Sequence, residues 1–123
     1  MTETRNAVDG IGPYGQAWLE PDEDVRRALL ERAWAPGAVY CDPLALVTGV
    51  EELVAHIGQT QAAVPGARVE VTAEATRHHD SAHFPWAITG PDGAVVLTGF
   101  DVVQLDEQGR ITRLTGFFDP PAG

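Results

Sequence analysis

The chain has 123 residues, 44% of them hydrophobic, and carries a formal net charge of -10 from 18 acidic against 8 basic side chains. That is one domain's length with enough apolar material for a core, so disorder is excluded. With this charge and no Lys/Arg cluster, neither a nucleic acid nor an anionic membrane is an expected partner. Cys41 is the single cysteine, which excludes an internal disulfide and a cysteine-rich zinc site.

The polar start, residues 1–10, is expected to be flexible and lacks the apolar core of a signal segment. No apolar run reaches the length of a membrane span, so a cytoplasmic protein is expected. Ile11, Tyr14 and Trp18 then recur at helical spacing, and Pro13 suits a first helical turn; this helix ends near Pro21. Asp22 is a helix cap, followed by an acidic first turn and an apolar stripe through Val25, Ala28, Leu29, Ala33 and Trp34, which Pro36-Gly37 stops. Ala38 to Cys41 reads as a short strand ending at Asp42-Pro43. Thr48 and Glu51 have capping-box spacing, and Val50, Leu53, Val54 and Ile57 mark a third helix that Pro65-Gly66 closes.

From Arg68 the period changes from 3.6 to 2. Val69, Val71, Ala73 and Ala75 alternate with polar residues, and a turn near Asp80 leads into Phe84, Trp86 and Ile88. Gly90-Pro91-Asp92-Gly93 turns the chain into a long strand over 94–105. Asp106 to Gly109 turns it again into a last strand over 111–118. Helices followed by a strand meander predict an α+β domain over residues 11–119, with a polar tail over 120–123. Three N-terminal helices must cover one face of a long antiparallel sheet. Twist makes such a sheet curl, which leaves a cavity under the helices.

This order of elements resembles the ketosteroid isomerase-like and SnoaL-like polyketide cyclase group of the nuclear-transport-factor-2-like superfamily. Two segments carry the resemblance. The first is Ala38-Val39-Tyr40-Cys41-Asp42-Pro43 with Thr48-Gly49 and the helix that follows. The second is Gly99-Phe100-Asp101-Val102-Val103 with Asp106, Gly109-Arg110-Ile111 and a final Phe117-Phe118. The resemblance implies a cone-shaped, cystatin-like curved sheet. It also implies either a cofactor-free isomerase or cyclase acting on a hydrophobic carbonyl compound, or a non-catalytic ligand-binding or dimeric interaction module on the same fold.

By the same resemblance Asp42 stands where ketosteroid isomerases hold a general base, although Asp-Pro also simply opens turns. Asp101 stands where they hold a protonated acid that donates to an enolate oxygen. Alternation puts it on one face with Leu97, Gly99, Val103 and Leu105; its plainer use is an ion pair with Arg77, Arg113 or a histidine. Tyr14 matches their helix-borne hydroxyl donor loosely and shares a helical face with Trp18. Tyr40, two before Asp42, points to the same side. Arg77 and Asp80 hint at the Asp-Arg-Asp epoxide-hydrolysing variant, at a spacing that does not match.

His78, His79 and His83 suggest metal ligands at first sight, but His78 and His79 face opposite sides of a strand, and no metal is expected. His79 is instead a candidate substrate contact, alongside Trp18, Tyr40, Trp86 and Phe118. His56, among apolar neighbours on the third helix, reads as a surface or boundary residue. Val96, Phe100 and Val102 form a second apolar parity on the long strand, so a homodimer through the outer face of the sheet is expected.

Overall fold

The computed structural model describes residues 9–120. Residues 1–8, most of the start expected to be flexible, and residues 121–123 of the tail lie outside them. Among the described residues three helices and seven strands follow in order: α1 (Ile11–Leu19), α2 (Glu23–Ala33), β1 (Trp34–Asp42), β2 (Ala45–Thr48), α3 (Gly49–Ala63), β3 (Arg68–Val71), β4 (Thr76–His78), β5 (Ser81–Thr89), β6 (Val95–Leu105) and β7 (Ile111–Phe118). The sheet is curved and unclosed, in the order β2-β1-β7-β6-β5-β3, with β4 also on β5. Its pairings are antiparallel except for the parallel pair β1–β7, so the expected all-antiparallel sheet is in fact mixed. No helix among the described residues is long and apolar enough to cross a membrane.

Local chemistry sets each helix boundary. The Asp22 carboxylate accepts the backbone N–H groups of Asp24 (2.9 Å) and Val25 (3.0 Å), which caps α2 as its spacing predicts. The buried face of α2 is Arg26, Leu30 and Ala33, however, and Val25 and Ala28 are exposed. The expected stripe was one position out of phase because Arg26, a charged residue, occupies an inward site. Its guanidinium donates to the carbonyls of Glu20 (3.0 Å) and Pro21 (3.3 Å) and to Gln61 (3.1 Å). The end of α1 thus meets a cation with the negative end of its dipole, and α1, α2 and α3 are bolted together.

Asp9 and Gly10, assigned to the flexible start, are anchored. Asp9 is buried, accepts the Ile11 N–H and pairs with Arg77, while Gly10 donates to the Gly109 carbonyl. At α3 the reciprocal cap comes from Glu52, which accepts the Thr48 N–H at 2.8 Å; Glu51 pairs with Arg27 instead.

Helix α2 ends at Ala33, ahead of Pro36-Gly37, and that dipeptide forms a bulge inside β1. Pairing with β7 shifts register between Trp34 and Val39, and Gly37 takes φ 73°. The strand expected from Arg68 to the turn near Asp80 breaks into β3 and β4, both on β5. Pro85 sits on β5 opposite the break and has no N–H to offer there; its carbonyl accepts the Thr72 N–H at 3.0 Å. Between helices and sheet, Tyr14 stacks on Trp34 at 5.9 Å, over a core of Leu30, Leu53, Ile57, Phe84, Val103, Ile111 and Leu114.

Candidate active site

Strand register builds the site. Asp101 on β6 pairs with Gly116 on β7, and Cys41 on β1 pairs with Thr115, so Asp42 comes to lie beside Gly116. Asp42, Gly116 and Asp101 therefore form a row across three adjacent strands. The two aspartate backbones are roughly 10 Å apart, twice the interstrand spacing. A Cβ on Gly116 would lie 2.9 Å from Asp101 Oδ1 and 3.4 Å from Asp42 Cβ. Glycine thus keeps the space between the carboxylates open.

That row faces the helices and lines a cavity of about 170 Å³. Helix α1 contributes Tyr14, Gly15 and Trp18, and α3 contributes His56 and Thr60. Tyr40, Asp42 and Leu44 come from β1 and the turn after it, and Trp86, Ile88, Leu97, Asp101, Gly116 and Phe118 come from the meander; Val69, Glu70 and Val71 of β3 close one side. Trp86 reaches the cavity by lying over Gly99, where any Cβ would sit 2.4 Å from its ring, and it meets Phe118 edge-on at 5.7 Å. Among the described residues no Lys or Arg lines the space. No three His, Cys, Asp or Glu side chains gather as a metal's ligands would, also among the described residues.

The two carboxylates have different surroundings. Asp101 is 6% exposed and, among the described residues, has no cationic partner. Arg77 is taken by Asp9, and Arg113 is exposed. Burial pushes the Asp101 carboxyl up to about 7; hydrogen bonding from Trp86 opposes the shift and the nearby Asp42 reinforces it. Asp42 is half-buried. Its Oδ2 accepts the Tyr40 hydroxyl at 2.5 Å and its Oδ1 accepts the Leu44 N–H at 2.8 Å. Four lone-pair sites leave each oxygen with one free.

Both tyrosines are held as donors. Burial first, then the charge of Asp101, raises the Tyr14 hydroxyl well above its ordinary value. Burial and the bond to Asp42 do the same for Tyr40. His56 packs against Tyr40 at 5.1 Å and edge-on to Trp18 at 6.0 Å. Burial lowers its pKa, against the pull of Asp42, so the imidazole is neutral near pH 7.

Seven of the eight residues singled out from the sequence line this one cavity: Tyr14, Trp18, Tyr40, Asp42, Trp86, Asp101 and Phe118. His79 does not. It is exposed at the β4–β5 turn with φ 50°, a left-handed conformation that the tight reversal requires. The histidine in the cavity is His56, which the sequence reading left at the boundary. It flanks the buried stripe of Leu53, Val54 and Ile57, and Thr60, also in the cavity, follows at i+4. Gly116 was missed as well; an isolated glycine inside a strand is itself a signal of close approach.

Residues 16–114 match the model of the SnoaL-like domain family. Among solved structures, the chain is similar to a candidate isomerase of the SnoaL-like family from Agrobacterium tumefaciens. The two are 35% identical with a TM-score of 0.84, over 90% of this chain and 95% of that one. A candidate polyketide cyclase from Sinorhizobium meliloti is 25% identical with a TM-score of 0.68, over 87% and 92%. An NTF2-like protein of unknown function from an Exiguobacterium species shares the fold at 17% identity and a TM-score of 0.71, over 91% and 99%. No curated protein matches the chain.

Proposed function

The chain belongs to the SnoaL-like domain family, and on that premise we propose that its cavity moves a proton on an uncharged, apolar carbonyl compound without a cofactor, as an isomerase or cyclase does. The observation that carries this reading is the pairing, in one mostly apolar cavity, of a half-buried Asp42 with a buried Asp101 raised to about 7. A base and an acid built from the same residue type need such unlike surroundings.

In this reading Asp42 removes a proton from the carbon next to the carbonyl. Negative charge then develops on the carbonyl oxygen, and donors already in place stabilise it: the Tyr14 hydroxyl and the protonated Asp101 carboxyl. Tyr40 holds Asp42 by its Oδ2, and the Leu44 N–H holds Oδ1, so the base keeps one orientation. The proton on Asp42 returns to the same or a neighbouring carbon, which completes isomerisation, or to an alkoxide after ring closure. A lining without Lys or Arg favours an uncharged reacting group, since the Asp42 carboxylate repels a carboxylate or phosphate and no cation offsets it.

The test is isomerisation of cyclohex-3-enone to its conjugated isomer, followed by ultraviolet absorbance, with deuterium uptake at the α-carbon read by NMR. The wild type is expected to accelerate both, and Asp42→Asn to lose about 10²–10⁴-fold, the usual contribution of a general base. Binding of the ketone with equal rates in wild type and Asp42→Asn would replace the enzyme by a ligand-binding module of the same fold.

A further inference from the structure

The cavity is small for the substrate its lining suggests. Its volume of about 170 Å³ is close to the roughly 150 Å³ that holds one benzene ring. Pockets that enclose a drug-sized molecule span about 300–1,000 Å³. A hydrophobic substrate larger than one ring must therefore extend out of it. Leu44, His56 and Thr60 line the cavity on one side and, on the other, a groove of about 670 Å³ between β2 and α3.

That groove displays apolar side chains that the fold does not otherwise use. Leu44 is 83% and Leu46 68% exposed, and Val64 faces the same space from the end of α3. Edge strands usually carry charge or proline rather than open leucines, and β2 is an edge of this sheet. Among the described residues no Lys or Arg lines the groove, and Glu52 is engaged with the Thr48 N–H.

We propose that the substrate is longer than the cavity, with its carbonyl head beside Asp42 and Asp101 and an uncharged aliphatic tail lying in the β2–α3 groove, where Leu46 and Val64 select it by length. This rests on the proton-transfer reading of the cavity. The occupant is the tail of the same molecule because the groove adjoins the cavity at three shared lining residues, Leu44, His56 and Thr60, beside the base itself. Leu44 lines both spaces, and its own N–H holds Asp42 Oδ1.

Cyclohexanone and 4-alkylcyclohexanones with chains of two to eight carbons separate head from tail. Their binding is read as quenching of Trp18 and Trp86, which line the cavity. In the wild type, affinity is expected to rise with each methylene by up to about fourfold, the worth of a buried CH₂. Leu46→Ser/Val64→Ser changes only residues of the groove. It is expected to weaken the octyl compound at least tenfold and to leave cyclohexanone unchanged. Equal chain-length slopes in wild type and variant would overturn the tail site and leave the cavity reading standing. No binding of cyclohexanone by the wild type would bring down the cavity reading and the tail site together. A wild-type oligomer that dissociates in Leu46→Ser/Val64→Ser would make the groove a contact between copies and overturn the proposal too.

Discussion

The floor and the mouth of the cavity are built from the same few residue types and end in different chemistry. At the floor, Asp101 and Tyr14 are buried, and desolvation raises both above their ordinary values. At the mouth, Asp42 is half-buried and accepts two hydrogen bonds, beside a neutral His56 and an exposed Leu44. One glycine, Gly116, separates the two ends. The sequence holds two aspartates; depth gives them unlike surroundings, one buried with a raised carboxyl and the other half-buried with two hydrogen-bond donors.

The sharpest way to break that contrast is to exchange each acid for its amide. Asp42→Asn removes the proton acceptor, and the largest loss is expected there, about 10²–10⁴-fold in turnover of cyclohex-3-enone. Asp101→Ala removes a donor to the oxyanion and is expected to cost about 10²–10³-fold. Asp101→Asn still donates and is expected to lose only roughly tenfold, a barrier change of about 1.4 kcal/mol. An Asp101→Asn rate as low as that of Asp42→Asn would mean that the floor and mouth do not have separate roles.

Stability sharpens the same contrast without any substrate. The folded Asp101 carboxyl is raised from 3.8 to about 7, so between those values the folded protein binds a proton that the unfolded chain has released. Stability contributed by that proton is present below about pH 4 and is lost as pH rises through 7, on the order of 4 kcal/mol in all. Asp101→Asn cannot ionise. In urea titrations it is expected to be more stable than wild type at pH 8 by a margin that shrinks towards pH 4. A margin that does not change with pH would argue that Asp101 is not desolvated.

The smallest effect concerns the opposite side of the sheet. Phe100 and Phe117 stack there at 5.1 Å with both rings partly exposed, beside Val96 and Val102. A homodimer through this face is expected, with Phe100→Ser/Phe117→Ser shifting sedimentation towards the monomer at micromolar concentration. Activity is expected to change little, since neither ring lines the cavity. A wild-type monomer under these conditions would remove the dimer and leave the site as it is.

How much of this the sequence disclosed follows from how local each signal is. The alternation along β6 put Asp101 on the buried face with Gly99 and Val103, and the spacing of Tyr40 and Asp42 put them on one side, because side-chain direction in a strand is fixed by period 2. The N-cap of α2 and the turns at Gly93 and Gly109 were likewise readable, since a few consecutive residues decide them. Other features depend on partners distant in sequence. Arg26 is buried because the carbonyls ending α1 and Gln61 of α3 converge on it, and nothing around position 26 announces that. β2 was missed because its pairing with β1 is what makes it a strand. His79 was chosen over His56 because a helix boundary residue becomes a cavity residue only when the sheet curls beneath it.

The most direct measurement is carbon-13 NMR titration of the aspartate carboxyls, with Asp101→Asn used to assign the signal. A midpoint near pH 7 for Asp101 is expected, and it would shift when Asp42→Asn removes the neighbouring charge. An Asp101 carboxyl that titrates near pH 4 would contradict the division of the cavity into a donor floor and an acceptor mouth.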